Sequence, residues 1–439
     1  MAIHQQIATS WGRIRRVSHA VMRPRFAEEV GAQFLDAKAA PYLPVGLRRS
    51  YGDTVLNAGG TLIDTGGLDR FVEFDDEQGI LRAEAGLSID AALRIIVPKG
   101  WFFNTTPGTR YVTLAGAVAN DVHGKNHHRN GTFGCGVRRI GLMRSDATFE
   151  VLDAKDERFR ATIGGLGLTG LIAWVEVQLV RIPSSRLSVE RIAFGNLAEF
   201  FALAADSAAS HEHTVAWIDC ASGGRALGRG IFQRAEWDVG SDRTTHASRT
   251  KASMPFDAPA QALNGMTVRA FNALYWRNQQ RGPQVRSEHY GTFFYPLDAI
   301  RNWNRLYGKR GFYQYQCVIP PDTASTAISE LVAQIVRTGA GSFLAVLKTF
   351  GDVASPGMLS FPRPGATLAL DFANRGSDTL SLLARLDSIV LEAGGRLYAA
   401  KDGRMPAAMF RAGYGAQLAA FERHRDPAFT SDFWKRVSA

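Results

Sequence analysis

The order of hydrophobic and polar positions predicts regular elements throughout the first half of the chain. Residues 71–74 and 80–85 alternate around the polar turn at 75–79 and predict a β-hairpin. Residues 171–180 form a long apolar run, which predicts a buried strand. Ser88 is a good N-cap residue, and the apolar positions that follow it recur at helical spacing: Ile89, Leu93, Ile96 and Val97.

The pattern changes after Pro183-Ser184-Ser185, which indicates a boundary. Beyond it, alternating positions predict several strands, and helical spacing predicts a helix at residues 198–209. The predicted strands are residues 188–194, 214–220, 229–234, 343–350 and 367–372.

Residues 107–128, PGTRYVTLAGAVANDVHGKNHH, are rich in glycine and small side chains. No run here has the length or period of a helix, so two tight turns around a short buried segment are expected. Glycine lets such a backbone approach a ligand and present N–H groups to a pyrophosphate. An ordinary glycine-rich loop remains the alternative.

Two further glycine loops also adjoin predicted strands, at residues 44–53 (PVGLRRSYGD) and 164–170 (GGLGLTG). One large phosphate-bearing cofactor would explain all three. A dinucleotide fingerprint needs Gly-x-Gly-x-x-Gly between a strand and a helix, whereas Gly164-Gly165-Leu166-Gly167 precedes a strand pattern. A Rossmann fold is therefore disfavoured.

Composition limits the class of protein and its partners. The 439 residues are 46% hydrophobic and 21% charged, as in an ordinary globular protein with about two domains. The net charge of +10 favours anionic partners, such as phosphates or acidic membrane surfaces. Basic residues are scattered without a nucleic-acid-binding signature, so we expect no nucleic acid.

Cysteine usage and hydropathy indicate the cellular compartment in which the protein is expected. Cys135, Cys220 and Cys317 lie too far apart for a metal motif or a disulfide framework, which fits a reducing compartment. The first residues lack the apolar core of a signal peptide, and no apolar run approaches ~18 residues. We expect a cytoplasmic protein that can contact the inner membrane peripherally.

Three histidines, His123, His127 and His128, suggest a metal site at first sight. Gly124 argues against a helix that would bring His123 and His127 together, and no carboxylate completes the set. We therefore expect no metal.

The three glycine loops, together with the motifs RSYGD, DVHGKNHH and YAAKDGR, resemble flavoproteins of the vanillyl-alcohol-oxidase type. Within that class the chain is similar to the decaprenylphosphoryl-β-D-ribose 2-oxidase family, from about Trp11 to about Trp434. The resemblance implies an α+β fold with a PCMH-type FAD-binding domain at residues 1–185. An antiparallel-sheet cap domain for substrate would follow at 186–395, and residues 396–439 would return to the FAD domain.

The activity that the resemblance implies is oxidation of a sugar's secondary hydroxyl by hydride transfer to flavin N5. In this family the hydroxyl is the ribose 2-OH of a polyprenyl-phosphoryl-ribose, a precursor of cell-wall arabinan, and an NAD(P)H-dependent partner reductase completes the epimerisation. One alternative is an aldonolactone or alditol oxidase, but those relatives carry His-Trp-Gly-Lys where this chain has Tyr398-Ala399-Ala400-Lys401. The other is a non-catalytic flavin- or lipid-binding scaffold.

The resemblance also assigns roles to residues. Lys401 and His123 are the implied catalytic residues. The implied flavin-binding residues are Arg49, Ser50, Tyr51, Gly52, Pro107, Gly108, Thr109, Thr113, Gly116, Ala117, Asn120, His123, Gly124, Gly165, Gly170, Leu171 and Tyr398. The implied substrate residues are Trp217, Gln314, Gln316, Lys348, Thr367 and Ala369.

The residues themselves support part of the substrate assignment. Gln314 and Gln316 are two apart, so on a strand they share one face, which suits sugar hydroxyls or an ordinary polar surface. Lys348 is the one charge in the apolar run FLAVLKTF and needs a partner. Thr367 and Ala369 stand where mycobacterial members carry asparagine and cysteine, so the pocket is altered.

Residues 239–290 carry seven Lys/Arg against three Asp/Glu, with aromatic residues among them. We expect either a solvated loop or a lid that contacts lipid head groups. The basic residues are Arg243, Arg249, Lys251, Arg269, Arg277, Arg281 and Arg286, and the acidic ones are Asp242, Asp257 and Glu288.

We predict that FAD is held noncovalently. Related flavoproteins can link FAD through the histidine of Gly-x-Gly-His-Ser, whereas this chain reads Gly46-Leu47-Arg48-Arg49-Ser50, with Arg49 at that position. Acid precipitation should therefore leave the yellow colour in the supernatant. A yellow pellet would show an unexpected covalent link, with Cys135 the first residue to examine.

Overall fold

The structure is a computed structural model that describes residues 3–34, 41–240, 244–247, 252–259, 264–279 and 282–439. These residues form two large antiparallel sheets, a smaller mixed sheet and a two-stranded ribbon, with helices packed against them. The predicted α+β class is confirmed.

The mixed sheet lies at the N-terminus. Its strands are β1 (Ile3–Thr9), β2 (Arg16–Met22), β3 (Tyr42–Val45) and β4 (Thr61–Asp64). The order is β1-β2-β4-β3, with β1 and β2 antiparallel and both β2 and β3 parallel to β4.

The second sheet carries the predicted hairpin and the long apolar strand, both of which are confirmed. Its strands are β5 (Phe71–Asp75), β6 (Ile80–Glu84), β7 (Trp101–Phe103), β8 (Val137–Met143), β9 (Phe149–Asp153) and β10 (Leu171–Arg181). The order is β5-β6-β10-β8-β9, and β7 pairs with the end of β10.

The third sheet forms most of the second half. Its strands are β11 (Arg186–Phe194), β12 (His213–Ile218), β13 (Gly230–Trp237), β15 (Gln284–His289), β17 (Phe312–Ile319), β18 (Ala345–Phe350), β19 (Gly365–Ala373) and β20 (Arg396–Leu397). The order is β15-β11-β13-β12-β18-β19-β17-β20. The ribbon pairs β14 (Ala252–Ser253) with β16 (Ile300–Arg301).

The register of this third sheet places all six predicted substrate residues on one face. Trp217, Val346, Ala369 and Gln316 lie directly opposite one another across four neighbouring strands. The pairs Lys348–Thr367 and Gln314–Asp371 occupy adjacent rows of that face, since residues two apart on a strand share a side.

Helices pack against the sheets, and the last two elements of the chain are helices. They are α1 (Ala27–Phe34), α2 (Ile89–Ile96), α3 (Leu114–Ala119), α4 (His127–Asn130), α5 (Glu157–Thr162), α6 (Leu197–Ala208), α7 (Gly265–Arg277), α8 (Tyr290–Phe294), α9 (Pro321–Thr338), α10 (Ser377–Glu392), α11 (Ala407–Glu422) and α12 (Asp432–Val437). None of the helices in the described ranges combines the length and apolar character needed to cross a membrane.

One expectation about local structure was right and another was wrong. Ser88 caps α2 as predicted, because its side chain accepts a hydrogen bond from Ala91 N. The glycine-rich stretch 107–128 is predicted to form two tight turns around a short buried segment without a helix, yet it contains α3 and the start of α4. Thr113 caps α3 by accepting from Gly116 N at 3.1 Å, and buried packing of Leu114 stabilises a helix too short to show a period.

The hydrophobic core crosses the predicted domain boundary. Tyr290, Phe293 and Phe294 of α8 are buried among residues of α2 and β7 from the first half. In the other direction, Leu166 and Leu168 belong to the core of the third sheet and its helices. Each half therefore contributes apolar side chains to the core of the other.

The chain changes sheets between β10 and β11, next to the predicted boundary at residue 185. At the start of the C-terminal segment, β20 pairs with β17 of the third sheet. Beyond it, Arg436 of α12 pairs with Asp53 and Asp402. The division into 1–185, 186–395 and 396–439 stays a prediction.

Candidate active site

A cleft of about 590 Å³ lies where the glycine loops meet the polar face of the third sheet. Eighteen of the predicted site residues line it. They are Arg49, Ser50, Tyr51, Pro107, Gly108, Thr109, Thr113, Gly116, Asn120, His123, Gly170, Gln314, Gln316, Lys348, Thr367, Ala369, Tyr398 and Lys401.

The loop at residues 44–53 packs directly against the cap of α3. A Cβ atom on Gly46 would lie 2.3 Å from Thr113 Oγ1, so only glycine allows this approach. The next residues, Leu47 and Arg48, line the cleft, and Arg48 adopts a left-handed backbone with φ of 50°. Arg48 therefore lies on the cleft wall two residues after this close approach.

Arg48 fits an anionic cofactor. Its Nε and Nη2 atoms are buried and have no hydrogen-bond partner among the described residues. An unpaired buried cation is costly, and a pyrophosphate offers the acceptors that it lacks. FAD carries such a group, so the residues present fit FAD.

Arg49, which stands at the position of the linking histidine in related flavoproteins, is held differently. Its Nε donates to Tyr111 O at 3.1 Å, and its guanidinium lies 4.1 Å from the centre of the Trp11 ring. Burial lowers the pKa of Arg49. The side chain forms part of the cleft wall through these contacts.

His123 lies between two nitrogen-bearing side chains. Its Nε2 is 2.9 Å from Gln316 Nε2, and its Nδ1 is 3.2 Å from Lys348 Nζ. Burial and then the charge of Lys348 lower the pKa of His123 well below its usual value, so the ring is neutral. A neutral imidazole carries one N–H group. If that group is at Nδ1, it donates to an uncharged Lys348 amine. If it is at Nε2, it donates to the oxygen of a Gln316 amide in the reversed orientation.

Lys348 has the partner that its sequence context requires. Its Nζ donates to Gly124 O at 2.9 Å, and its neighbour across the sheet is Thr367. Burial, reinforced by Lys125 and Lys401, lowers the pKa of Lys348 to about 7. An anion bound nearby would favour the charged form.

Lys401 projects into the cleft from the turn after β20. Its Nζ lies 4.0 Å from the centre of the Tyr51 ring, and no hydrogen-bond acceptor for it occurs within the described ranges. Burial lowers the pKa of Lys401 to about 8, and the charge of Asp371 opposes that shift. The ammonium is therefore available to a ligand oxygen.

Gln314 completes the polar wall beside Tyr51 and Lys401. Its Nε2 donates to Asp371 Oδ1 at 2.7 Å, while its Oε1 is buried without a donor in the described part of the chain. Gln316 Nε2 donates to Thr367 Oγ1 at 3.1 Å. Gln314 Oε1 and the Lys401 ammonium therefore both lack a hydrogen-bond partner among the described residues.

Six predicted residues lie off the cleft wall. Ala117 and Leu171 are buried in hydrophobic cores, and a Cβ on Gly165 would lie 2.2 Å from Ala161 O. Gly52 packs so closely that a Cβ would lie 1.4 Å from Asp402 O, so its glycine serves backbone packing.

The other two of the six stand behind cleft residues. Gly124 contributes the carbonyl that accepts from Lys348. Trp217 lies on the correct sheet face, but its Nε1 donates to Phe343 O at 3.0 Å, and Tyr275 of α7 packs edge-on at 4.8 Å. These contacts cover Trp217.

Sequence reasoning missed several residues of the cleft. Asp298 accepts hydrogen bonds from Thr109 Oγ1 at 2.7 Å and from Arg110 N at 2.9 Å. These bonds hold the start of the glycine-rich stretch 107–128 in place. Other missed residues come from the aromatic-rich stretch after α8, whose density of rings was the one available signal. They include Leu297, Ile300, Arg301, Asn302 and Trp303.

The predicted lid is described in part. The ribbon β14–β16 ties residues 252–253 to Ile300 and Arg301, which line the cleft. Arg13 pairs with Asp257 at 2.5 Å, which anchors the same segment to the N-terminus. Several charged residues of the predicted lid lie outside the described residues: Asp242, Arg243, Arg249, Lys251 and Arg281.

We predict that Arg48→Met changes FAD affinity and apoprotein stability in opposite directions. Loss of a charged hydrogen-bond donor to the pyrophosphate should weaken FAD binding about 10- to 100-fold. Removal of an unpaired buried cation should leave the apoprotein as stable or more so. Flavin titration and thermal melts of the apoprotein measure the two effects.

The matched control is Arg129→Met, because Arg129 is exposed and outside the cleft. Unchanged FAD affinity in Arg48→Met would rule out the pyrophosphate contact.

Comparisons with known proteins agree with this geometry. Residues 18–153 match the family model described as an FAD binding domain. The chain is 33% identical over 410 residues to decaprenylphosphoryl-β-D-ribose oxidase of Mycolicibacterium smegmatis, covering 89% of this chain and 88% of that protein. It is 30% identical over 368 residues to an uncharacterised Streptomyces coelicolor protein in the mprA 5′ region, covering 80% of this chain and all of that protein. The chain therefore belongs to the decaprenylphosphoryl-β-D-ribose oxidase family and is an FAD-dependent oxidoreductase.

Proposed function

We propose that this enzyme oxidises a secondary hydroxyl of a sugar carried on a polyprenyl phosphate, the ribose 2-hydroxyl. Similarity to the decaprenylphosphoryl-β-D-ribose oxidase of Mycolicibacterium smegmatis supports this substrate class. The observation that carries the proposal is the pairing, on one wall of the cleft, of a free ammonium at Lys401 with a free amide oxygen at Gln314.

That pairing matches the hydrogen-bonding pattern of an alcohol. A hydroxyl donates one hydrogen bond and accepts others, so it can donate to Gln314 Oε1 while accepting from Lys401 Nζ. A cation beside the alcohol oxygen stabilises the negative charge that develops as the proton leaves. Bound FAD supplies the hydride acceptor that side chains lack.

The phosphate of the substrate would find its counter-charge at Lys348. This ammonium lies on the same sheet face as Gln316 and titrates at about 7, so binding of a phosphate would hold it in the charged form. The neutral ring of His123, fixed between Gln316 and Lys348, would then orient the sugar-binding face.

The product would be a 2-keto sugar, which would require an NAD(P)H-dependent reductase to complete an epimerisation in cell-wall precursor synthesis. The existence of this partner reductase is part of the same proposal.

The function is tested by anaerobic mixing of the FAD-loaded enzyme with a polyprenyl-phosphoryl ribose and, separately, with free alditols. We expect the lipid-linked sugar to bleach the flavin and the alditols to do so far more slowly. Faster bleaching by the free sugars would favour the alditol-oxidase alternative. No bleaching by either would favour a non-catalytic scaffold.

We predict that Lys401→Met folds and binds FAD but is reduced at least ~100-fold more slowly at saturating substrate, because one electrostatic group of this kind is worth about 10²–10³ in rate. The pKa of Lys401 lies below its usual value, at about 8, so the charged form is present below that pH. The wild-type rate should therefore fall as the pH rises through about 8.

Lys401→Arg is the matched control, because it keeps the charge at every pH in this range. It should retain part of the rate and lose the alkaline decline. Near-normal reduction of Lys401→Met would exclude a catalytic role for this lysine.

We also propose that α7 contacts an anionic membrane surface, where a polyprenyl substrate would reside. Met266, Phe271 and Leu274 are 79%, 50% and 63% exposed on this helix. Arg269 and Arg277 flank them, and the helix contains no acidic residue. Apolar side chains beside basic ones suit an acidic bilayer surface.

The membrane proposal predicts that a Met266→Asp, Leu274→Asp double variant binds anionic vesicles at least ~10-fold more weakly, because charge is expelled from the bilayer interface. Binding of the wild type should also weaken as salt rises. Leu391→Asp, an exposed site on α10, is the control. Equal binding of wild type to neutral and anionic vesicles in a flotation assay would exclude the electrostatic part.

A further inference from the structure

Asp371 lies on β19, on the same sheet face as Gln314 and Ala369. It is 3% exposed and does not line the cleft, and its direct neighbour across the sheet is Gln314 of β17. Its Oδ1 accepts from Gln314 Nε2 at 2.7 Å, and its Oδ2 accepts from Tyr307 Oη at 3.4 Å. No basic group lies within 4 Å of this carboxylate in the described ranges.

The contact with Asp371 fixes the orientation of the Gln314 amide. A carboxylate accepts hydrogen bonds and donates none, so the amide must turn its NH₂ group towards Asp371. Its Oε1 is then left without a donor among the described residues. A glutamine without this carboxylate could present either end to a ligand.

The charge of Asp371 also acts on Lys401. Burial lowers the pKa of Lys401, and the negative charge of Asp371 opposes that shift, while Lys401 in turn favours the ionised form of Asp371. The groups that face Asp371 from neighbouring elements are Gln314 of β17, Tyr307, Tyr51 and Lys401. Among these, Lys401 is the cation.

We propose that Asp371 is a positioning residue for the oxidation: it orients the Gln314 amide so that Oε1 receives the substrate hydroxyl, and it keeps Lys401 charged. The inference rests on the proposed function for its substrate. The interaction of Asp371 with Gln314 and Lys401 is independent of which alcohol binds.

The pH dependence follows from the pair as a unit. Burial raises the pKa of Asp371 to about 7, whereas burial lowers the pKa of Lys401 to about 8. The productive state has Asp371 ionised and Lys401 protonated, so it is present above the first value and below the second. The rate should pass through a maximum, and the coupled pair contributes to both of its limbs. Lys348, whose pKa burial lowers to about 7, also titrates in this range, and its contribution should be the same in the wild type and in a variant at Asp371.

Asp371→Asn tests the proposal, because it keeps the shape of the side chain and removes the charge. We expect the acid limb of flavin reduction to disappear and the alkaline limb to move down by at least about one pH unit, as Lys401 loses its counter-charge. A merely structural role would lower the rate without moving the limbs.

A second readout needs no substrate. The midpoint potential of bound FAD, measured against pH, should change slope where Lys401 loses its proton, and Asp371→Asn should move that break to lower pH. Failure of the proposed function would leave this shift intact. An unchanged break together with unchanged limbs would overturn the role of Asp371.

A second test variant and a control variant complete the experiment. If Asp371→Asn does not fold, Gln314→Leu removes the 2.7 Å donor while keeping the carboxylate, and the acid limb should move to higher pH because the anion loses a stabilising hydrogen bond. An unmoved acid limb in Gln314→Leu would count against the proposal. Asp378→Asn removes the same charge at an exposed position on α10 and should leave both limbs in place.

Discussion

Burial of positive charge with too few counter-charges is the constraint on which this site depends. Arg48, Lys348 and Lys401 all reach the cleft, and two of them carry lysine pKa values lowered by burial. In the protein alone these cations are costly, because burial removes water, and among the described residues only Lys348 has an acceptor, the Gly124 carbonyl, in its place. An anionic cofactor and a phosphorylated substrate would supply the missing charge, so the same feature that destabilises the free protein favours binding of both.

Only a rigid scaffold can hold such groups in place. The rings of α8 lie in the core of the first half, while Leu166 and Leu168 lie in the core of the second. Asp121 adds a polar link, since its buried carboxylate accepts from Gly134 N at 2.9 Å and from Ser360 Oγ. Separation of the halves would expose apolar surface on both sides, so the cleft walls keep a fixed spacing.

The sequence predicted the strands well and the site in part. Local alternation is enough to locate β6, a continuous apolar run locates β10, and motif resemblance found eighteen residues of the cleft wall. Sequence reasoning missed α3, because a helix of six residues shows no helical period. The N-cap and tertiary packing stabilise this helix. Sequence reasoning could not find Asp298, whose contacts with Thr109 and Arg110 join positions 189 and 188 residues apart. Nor could it separate Gly52, which only backbone packing requires, from glycines that line the cleft.

Thr367 and Ala369, which stand where mycobacterial members carry asparagine and cysteine, change the space for the sugar more than the groups that would face its hydroxyl. Thr367 keeps a polar contact, because its hydroxyl accepts from Gln316, and Gln316 remains 2.9 Å from His123. Ala369 lies directly opposite Gln316 and has only a methyl group, so it leaves room above the sheet where a larger residue would fill it. The groups that would handle the hydroxyl, Lys401 and Gln314, receive their contacts from Tyr51 and Asp371 instead. The space available to the sugar can therefore change at residue 369 while the groups that face the hydroxyl stay in place.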